Sequence, residues 1–230
     1  MGRTACRAVL SVPANNTTME PELRALCPEL APFAVARVRL PAGTLTREDL
    51  PEYTRNTLAA IEPFLADRPK LVVQGCTAAG FLAGRAENAR IVAAMRERSG
   101  AAVVSTGEAM VEVLAHEGVA ETAVATPYLD AVNDGLRAYL ADSGIAVETL
   151  ESLRCATVEA LGRVTEAEVE ALALRSVTPR SKALFIACSQ LPTLGIIDGL
   201  RRRLGIPVWS SISATAWAAA RALPATRGMA

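Results

Sequence analysis

The sequence predicts an α/β protein made of two similar lobes, each a small doubly wound parallel sheet. Short apolar runs alternate with longer segments whose apolar residues recur three and four positions apart, as in strands and amphipathic helices. The predicted strands are apolar throughout, which is typical of parallel sheets covered by helices on both faces. The order of elements also repeats once. We therefore expect lobes related by a pseudo-twofold axis, with the active site in the cleft between them.

Eight apolar runs are predicted to be strands. They span residues 6–12, 33–40, 70–75, 101–105, 121–126, 145–149, 182–187 and 206–210. The segments between them are predicted to be helices. The first long one, 47–66, places Leu50, Tyr53, Leu58, Ile61 and Leu65 along one stripe. A later one opens with Thr165 and Glu168, the spacing of a capping box.

The internal repeat is based on three matched pairs in the same order. Pro13 and Pro127 each follow a predicted strand and precede a helix, Cys76 and Cys188 each end an apolar run, and related R-x-G segments precede the strands at 101–105 and 206–210. Any α/β chain shows some such similarity, so one pair alone would carry little weight. Together they predict a first lobe at 1–115 containing Cys76 and a second at 116–230 containing Cys188. The C-terminal helix is a candidate for crossing back to the first lobe.

Composition narrows the functional class. The chain is 51% apolar and 21% charged, with 24 basic and 24 acidic residues, so charge gives no reason to expect nucleic acid or an anionic membrane as a partner. No apolar run approaches a membrane span, and no cleavage site follows the first apolar run. Five widely spaced cysteines and one histidine predict neither a disulfide framework nor a zinc site. We expect a cytoplasmic protein with free thiols.

Two of the cysteines occupy equivalent positions in the repeat. Cys76 follows "KLVVQG" and Cys188 follows "KALFIA", so both are predicted to lie at the carboxyl ends of strands, where ligands gather in open α/β sheets. Each is expected just before a helix N-terminus, whose N–H groups lower a thiol pKa. With Thr77 and Ser189, the same N–H groups are suited to a substrate carboxylate. The sequence therefore predicts two thiols facing one small acid.

The alternative for any free cysteine is a structural one. Free cysteine is among the most buried residues and usually behaves as a small hydrophobe. We assign this role to Cys6, Cys27 and Cys155. It would also hold for Cys76 or Cys188 alone, but their matched placement in two lobes favours a functional pair.

Four segments resemble a known family: "VPANNTTMEPEL", "GCTAAGF", "VATPYLDAVNDGL" and "ACSQLPTLGIIDGLRRRLGIPVWSS". They resemble the Asp/Glu racemase superfamily, in particular its branch of maleate cis-trans isomerases and arylmalonate decarboxylases, over nearly the whole chain. The resemblance implies chemistry without a cofactor or metal, with Cys76 and Cys188 as catalytic residues. It implies that the substrate carboxylate is bound by Asn16, Thr77, Ala78, Tyr128, Ser189 and Gln190.

The resemblance leaves the activity open. Two cysteines favour an isomerase of a small carboxylic acid, either by maleate-type cis-trans isomerisation or by racemisation. The family's decarboxylases carry glycine where this chain has Cys76, yet the segment 153–164, "LRCATVEALGRV", resembles the decarboxylases more closely. An arylmalonate-type decarboxylase is therefore the alternative, and a non-catalytic small-acid binding protein is the third. The only partner predicted is a small carboxylate, and the sequence is compatible with a homo-oligomer.

Overall fold

The structure, a computed structural model, describes residues 6–40 and 44–223 and contains two four-stranded parallel sheets within those ranges. The strands are β1 (Ala8–Pro13), β2 (Phe33–Val38), β3 (Leu71–Gln74), β4 (Ala102–Ser105), β5 (Glu121–Thr126), β6 (Ala146–Ser152), β7 (Leu184–Ile186) and β8 (Val208–Ser210). Their orders are β2-β1-β3-β4 and β6-β5-β7-β8. Since the two orders are equivalent, the predicted α/β fold with two similar lobes is confirmed.

Helices follow most of the strands. They are α1 (Met19–Leu26), α2 (Leu50–Ile61), α3 (Thr77–Ser99), α4 (Thr106–His116), α5 (Asp130–Ala141), α6 (Val158–Gly162), α7 (Glu166–Ser176), α8 (Ile197–Leu204) and α9 (Ser211–Ala222). The capping box at Thr165 and Glu168 is present at the start of α7. The predicted helix at 47–66 is shorter than expected, because Pro63 lies in a 3₁₀ turn that follows α2. No helix in the described ranges combines the length and hydropathy needed to cross a membrane.

All eight predicted strands are present, and β6 is the one that extends furthest beyond its prediction. It pairs with β5 as far as Ser152, whereas the apolar run ended at 149. The strand lies at the edge of its sheet and is mostly half-buried, so polar residues continue it without leaving an apolar pattern in the sequence.

The two lobes pack closely against each other. Helix α3 of the first lobe packs on α5 of the second, where the rings of Phe81 and Tyr139 lie 5.7 Å apart. Gly135 permits this approach, because a Cβ there would lie 2.7 Å from the carbonyl oxygen of Phe81. The C-terminal helix α9 packs on α4 and α1. These contacts fix the loops of both lobes around a common cleft.

Candidate active site

A cavity of about 110 Å³ lies where the loops at the carboxyl ends of the two sheets meet. Its walls come from the loops after β1, β2 and β3 in the first lobe and after β5, β6 and β7 in the second, together with α5 and α6. Parallel strands deliver their carboxyl ends to one edge, which explains why distant segments meet here. The structure brings together every site residue predicted from the sequence: Asn16, Cys76, Thr77, Ala78, Tyr128, Cys188, Ser189 and Gln190.

Cys76 lies at the N-cap of α3 and is 5% exposed. The residue before it, Gly75, packs tightly against β1 and α1. A Cβ at this position would lie 2.6 Å from the Met19 sulfur and 2.7 Å from a Val12 methyl group. The backbone N–H groups of Ala78 and Ala79 point toward the Cys76 sulfur, as expected at a helix N-terminus. The side chain of Tyr53 also hydrogen-bonds this thiol.

Cys188 follows β7 and is 4% exposed. The prediction that it precedes a helix is wrong, because α8 begins only at Ile197 and a turn containing Pro192 intervenes. The turn supplies similar donors: the backbone nitrogen of Gln190 lies 3.4 Å from the Cys188 sulfur. The side chain of Tyr128 lies against the same sulfur. Each thiol is therefore paired with a tyrosine and with backbone N–H groups.

Burial controls the ionisation of both thiols. Desolvation raises the pKa of Cys76, and it raises the pKa of Cys188 to about 11. The tyrosine and backbone donors lower both pKa values, but by less than burial raises them. The predicted net lowering of these pKa values is therefore wrong for the site without a ligand. Both sulfurs are mainly protonated at neutral pH.

This ionisation predicts a pH dependence of alkylation. Because thiolate is the reactive form and both pKa values are raised, iodoacetamide should modify Cys188 about tenfold faster for each pH unit between 7 and 9, and the Cys76 rate should also rise throughout this range. The sign follows from the thiolate fraction, which increases as pH approaches a pKa from below. Peptide mass spectrometry measures each rate separately. Rates that level off below about pH 8 would show lowered thiol pKa values and contradict this assignment.

Two hydroxyl groups of the cavity wall are available to a ligand. Thr77 Oγ1 and Tyr128 Oη are buried and make no full hydrogen bond, although the Tyr128 hydroxyl lies beside Thr77 and the Cys188 sulfur. A buried polar group without a partner costs about 1–3 kcal/mol, which a ligand oxygen would offset. Burial, followed by the nearby Cys188, raises the pKa of Tyr128 well above its usual value, so its hydroxyl remains a donor. These two groups fit the predicted binding of a carboxylate.

The side chain of Asn16 is engaged within the protein. Its amide nitrogen lies 3.1 Å from both the carbonyl oxygen and the hydroxyl of Ser189, and its Oδ1 accepts the N–H group of Met19 at the start of α1. The Ser189 hydroxyl in turn donates to the Gly75 carbonyl at 2.6 Å. Asn16 thus joins the loop after β1 to the turn that carries Cys188, whereas the hydroxyls of Thr77 and Tyr128 make no full hydrogen bond.

An apolar rim surrounds the mouth of the cavity. Leu40 and Leu45 contribute from the first lobe, and Val158 and Leu161 contribute from α6 in the second. Cys155, assigned to the core from sequence, instead lies half-buried in this rim, while Cys6 and Cys27 are buried as predicted. The three-residue spacing of Val158 and Leu161 was the only sequence signal for the rim. Tyr53 was also missed, since its position in the α2 stripe is that of an ordinary core residue.

Comparison with known proteins places these features in context. The model of the arylmalonate decarboxylase family matches residues 9–229. The chain is 33% identical to arylmalonate decarboxylase from Bordetella bronchiseptica, over 91% of this chain and 84% of the relative. It is 28% identical to maleate isomerase from Nocardia farcinica, over 94% of this chain and 90% of the relative.

Solved structures give the same two kinds of relative. A cysteine-to-serine mutant of Nocardia farcinica maleate cis-trans isomerase, with a covalently bound succinylcysteine intermediate, matches with a TM-score of 0.86 at 27% identity, covering 94% of this chain and 91% of that one. A glycine-to-cysteine mutant of arylmalonate decarboxylase matches with a TM-score of 0.79 at 31% identity, covering 94% and 91%.

Proposed function

The chain belongs to the arylmalonate decarboxylase family, and we propose that it is an isomerase that acts on a small carboxylic acid through Cys76 and Cys188. That it is an enzyme follows from its relatives, which are isomerases and a decarboxylase. The observation that carries the finer proposal is the presence of two buried thiols, from equivalent positions of the two lobes, in the wall of one cavity. A decarboxylase of the type that this sequence resembles would need only the second.

We assign the nucleophilic role to Cys76. It caps the first segment of α3, a helix that is kinked at Gly84, and the N–H groups at that helix start would stabilise its thiolate, whereas Cys188 lies in a turn. In cis-trans isomerisation Cys76 first loses its proton to solvent, and the resulting thiolate adds to one carbon of the double bond while the other carbon takes a proton from the Cys188 thiol. The remaining single bond rotates. Cys188 then removes the proton, the double bond re-forms as the carbon–sulfur bond breaks, and both sulfurs return to their starting state.

Racemisation uses the same parts. One thiolate removes the proton next to a carboxylate, and the opposite thiol returns a proton to the other face, so that no group is consumed. In both reactions negative charge builds up on the substrate carboxylate. The buried hydroxyls of Thr77 and Tyr128, which line the cavity, would stabilise that charge.

A second candidate, decarboxylation of a malonate with an apolar substituent, is favoured by the rim. Leu40, Leu45, Val158 and Leu161 offer an apolar surface next to the groups suited to a carboxylate. Such a surface binds an aryl or alkyl substituent better than it binds a compact diacid. An apolar rim would suit the substrate of either reaction. It therefore favours a substrate with an apolar substituent, but it does not distinguish isomerisation from decarboxylation.

A proton-NMR screen in deuterated buffer tests the proposed function. Maleate, amino acids, hydantoins and arylmalonates are incubated with the enzyme, and a Cys76→Ser/Cys188→Ser variant serves as the control for contaminating activities. We expect conversion of a cis to a trans acid, or exchange of an α-proton for deuterium without loss of carbon. Decarboxylation of an arylmalonate, with no isomerisation or exchange in any other compound, would overturn the isomerase assignment.

A further inference from the structure

The turn at 188–196, which carries Cys188, is held in place by residues of the first lobe. At its start, Asn16 bonds to Ser189, and the backbone N–H of Thr17 donates to the Gln190 side chain at 3.2 Å. Further along, Thr193 bonds to the α1 helix. The placement of the Cys188 sulfur therefore depends on the lobe that carries the other thiol.

The bond to α1 is made by a buried carboxylate. Glu22 is 6% exposed, and it accepts hydrogen bonds from the Thr193 backbone N–H at 2.8 Å and from the Thr193 hydroxyl at 3.0 Å. The Thr193 oxygen also lies 3.0 Å from the hydroxyl of Ser210, the N-cap of α9. Each hydroxyl has one proton, so the bonds run from Ser210 to Thr193 and from Thr193 to the Glu22 carboxylate.

Packing alone does not account for a carboxylate at this position. Glu22 has no ion-pair partner among residues 6–40 and 44–223, and burial raises its pKa, with a smaller contribution from the Glu166 carboxylate. The N–H groups of Thr193 and Leu194 lower that pKa and partly compensate. An apolar side chain of similar size would fill the space without these costs. What the carboxylate adds is a pair of directed bonds to the turn.

We propose that Glu22 is a positioning residue for Cys188. By holding Thr193, it keeps the turn at 188–196 in the conformation that places the Cys188 sulfur in the cavity wall. The importance of this placement for turnover rests on the proposed function, in which Cys188 transfers the proton. A displacement of about 1 Å in a reacting group can lower a rate about a hundredfold.

The test compares the alkylation rates of the two thiols, which needs no substrate. Glu22→Leu removes both bonds and keeps the side-chain volume, while Glu22→Gln can still accept the N–H bond and donate to the Thr193 hydroxyl. In Glu22→Leu we expect iodoacetamide to modify Cys188 about fivefold faster or more, because the turn opens more often, with Cys76 unchanged. Glu22→Gln should restore the Cys188 rate to within about twofold of the parent.

Tyr139→Phe is the matched control, because it also removes a buried hydrogen bond between the lobes, the one from Asn88 at 3.2 Å, without touching the turn. It should leave Cys188 alkylation unchanged. An unchanged Cys188 rate in Glu22→Leu, or an equal increase at Cys76 and Cys188, would overturn the proposal. If Glu22→Leu does not fold, Thr193→Val removes the hydroxyl bonds to Glu22 and Ser210, keeps the backbone N–H bond to Glu22, and should give a smaller increase confined to Cys188. No increase in Thr193→Val would overturn the proposal in that case.

Turnover gives a second readout. With the substrate found by NMR, Glu22→Leu should lower kcat about tenfold to a hundredfold. KM should change less than kcat, because the proposed carboxylate donors Thr77 and Tyr128 lie outside the turn, whereas Ser189 and Gln190 lie within it. Failure of the proposed function would leave the alkylation result unaffected, so the two failures are distinguishable.

Discussion

A Cys188→Ser variant is expected to lose turnover and keep its fold. We predict that kcat falls about a thousandfold or more, since a serine hydroxyl is far too weak an acid to replace the thiol in proton transfer at carbon. The thiol is buried in the cavity wall and the substitution is nearly isosteric, so substrate affinity should change little. Steady-state NMR assays give kcat, and isothermal titration calorimetry gives the dissociation constant.

Cys155→Ser is the matched control for this variant. Cys155 lies in the rim of the same cavity and plays no part in the proposed proton transfer, so kcat should stay within about threefold of the parent. Full turnover in Cys188→Ser would contradict the role of this thiol. A protein that binds carboxylates tightly and has no turnover before any mutation would instead match a small-acid binding protein.

Replacing Cys76 with glycine should separate the two candidate reactions. The change removes the proposed nucleophile and leaves the single-cysteine pattern that the resemblance attributes to the decarboxylases. Glycine is accepted at a helix N-cap, so α3 should still form. We predict that isomerisation or α-proton exchange falls about a thousandfold or more. Any decarboxylation of an arylmalonate should be retained, because it would use Cys188 and the apolar rim.

Cys76→Ala distinguishes loss of the thiol from loss of the side chain. It lacks the sulfur and keeps Cβ, so it should lose isomerisation to the same extent as Cys76→Gly. Both reactions can be followed in one NMR sample. Isomerisation that persists in either variant would show that Cys76 is not the nucleophile, and the two-thiol mechanism would then be wrong.

Much of the fold is readable from the sequence because both faces of each central strand are buried. Strands β1, β3, β5 and β7 are mainly apolar and almost completely buried, and helical periodicity separates them. The predicted secondary structure was wrong at positions where the tertiary structure overrides the local sequence pattern. The polar end of β6 pairs at an exposed edge, and the segment after Cys188 turns at Pro192 before a helix begins.

The sequence also predicted which residues form the site, but it did not predict the pKa values of the two thiols. Residues after equivalent strands must converge, which is why Cys76 and Cys188 reach one cavity. The extent of burial is a tertiary property, and it reverses the expected direction of both thiol pKa values. Tyr53 and Glu22 were not identified from the sequence. Tyr53 contacts the Cys76 thiol from α2, and Glu22 contacts the turn at 188–196 from α1, so each is distant in sequence from the residue that it contacts.

Cross-linking of the two sulfurs tests most directly whether they face one ligand. The enzyme is treated near pH 9 with 1,3-dibromoacetone, a short reagent that alkylates two thiols, and its peptides are mapped by mass spectrometry. We predict a single intramolecular bridge between Cys76 and Cys188, which prior binding of the substrate suppresses. Separate single adducts on the two cysteines, or bridges that join either of them to Cys155 instead, would contradict the arrangement on which the proposed chemistry depends.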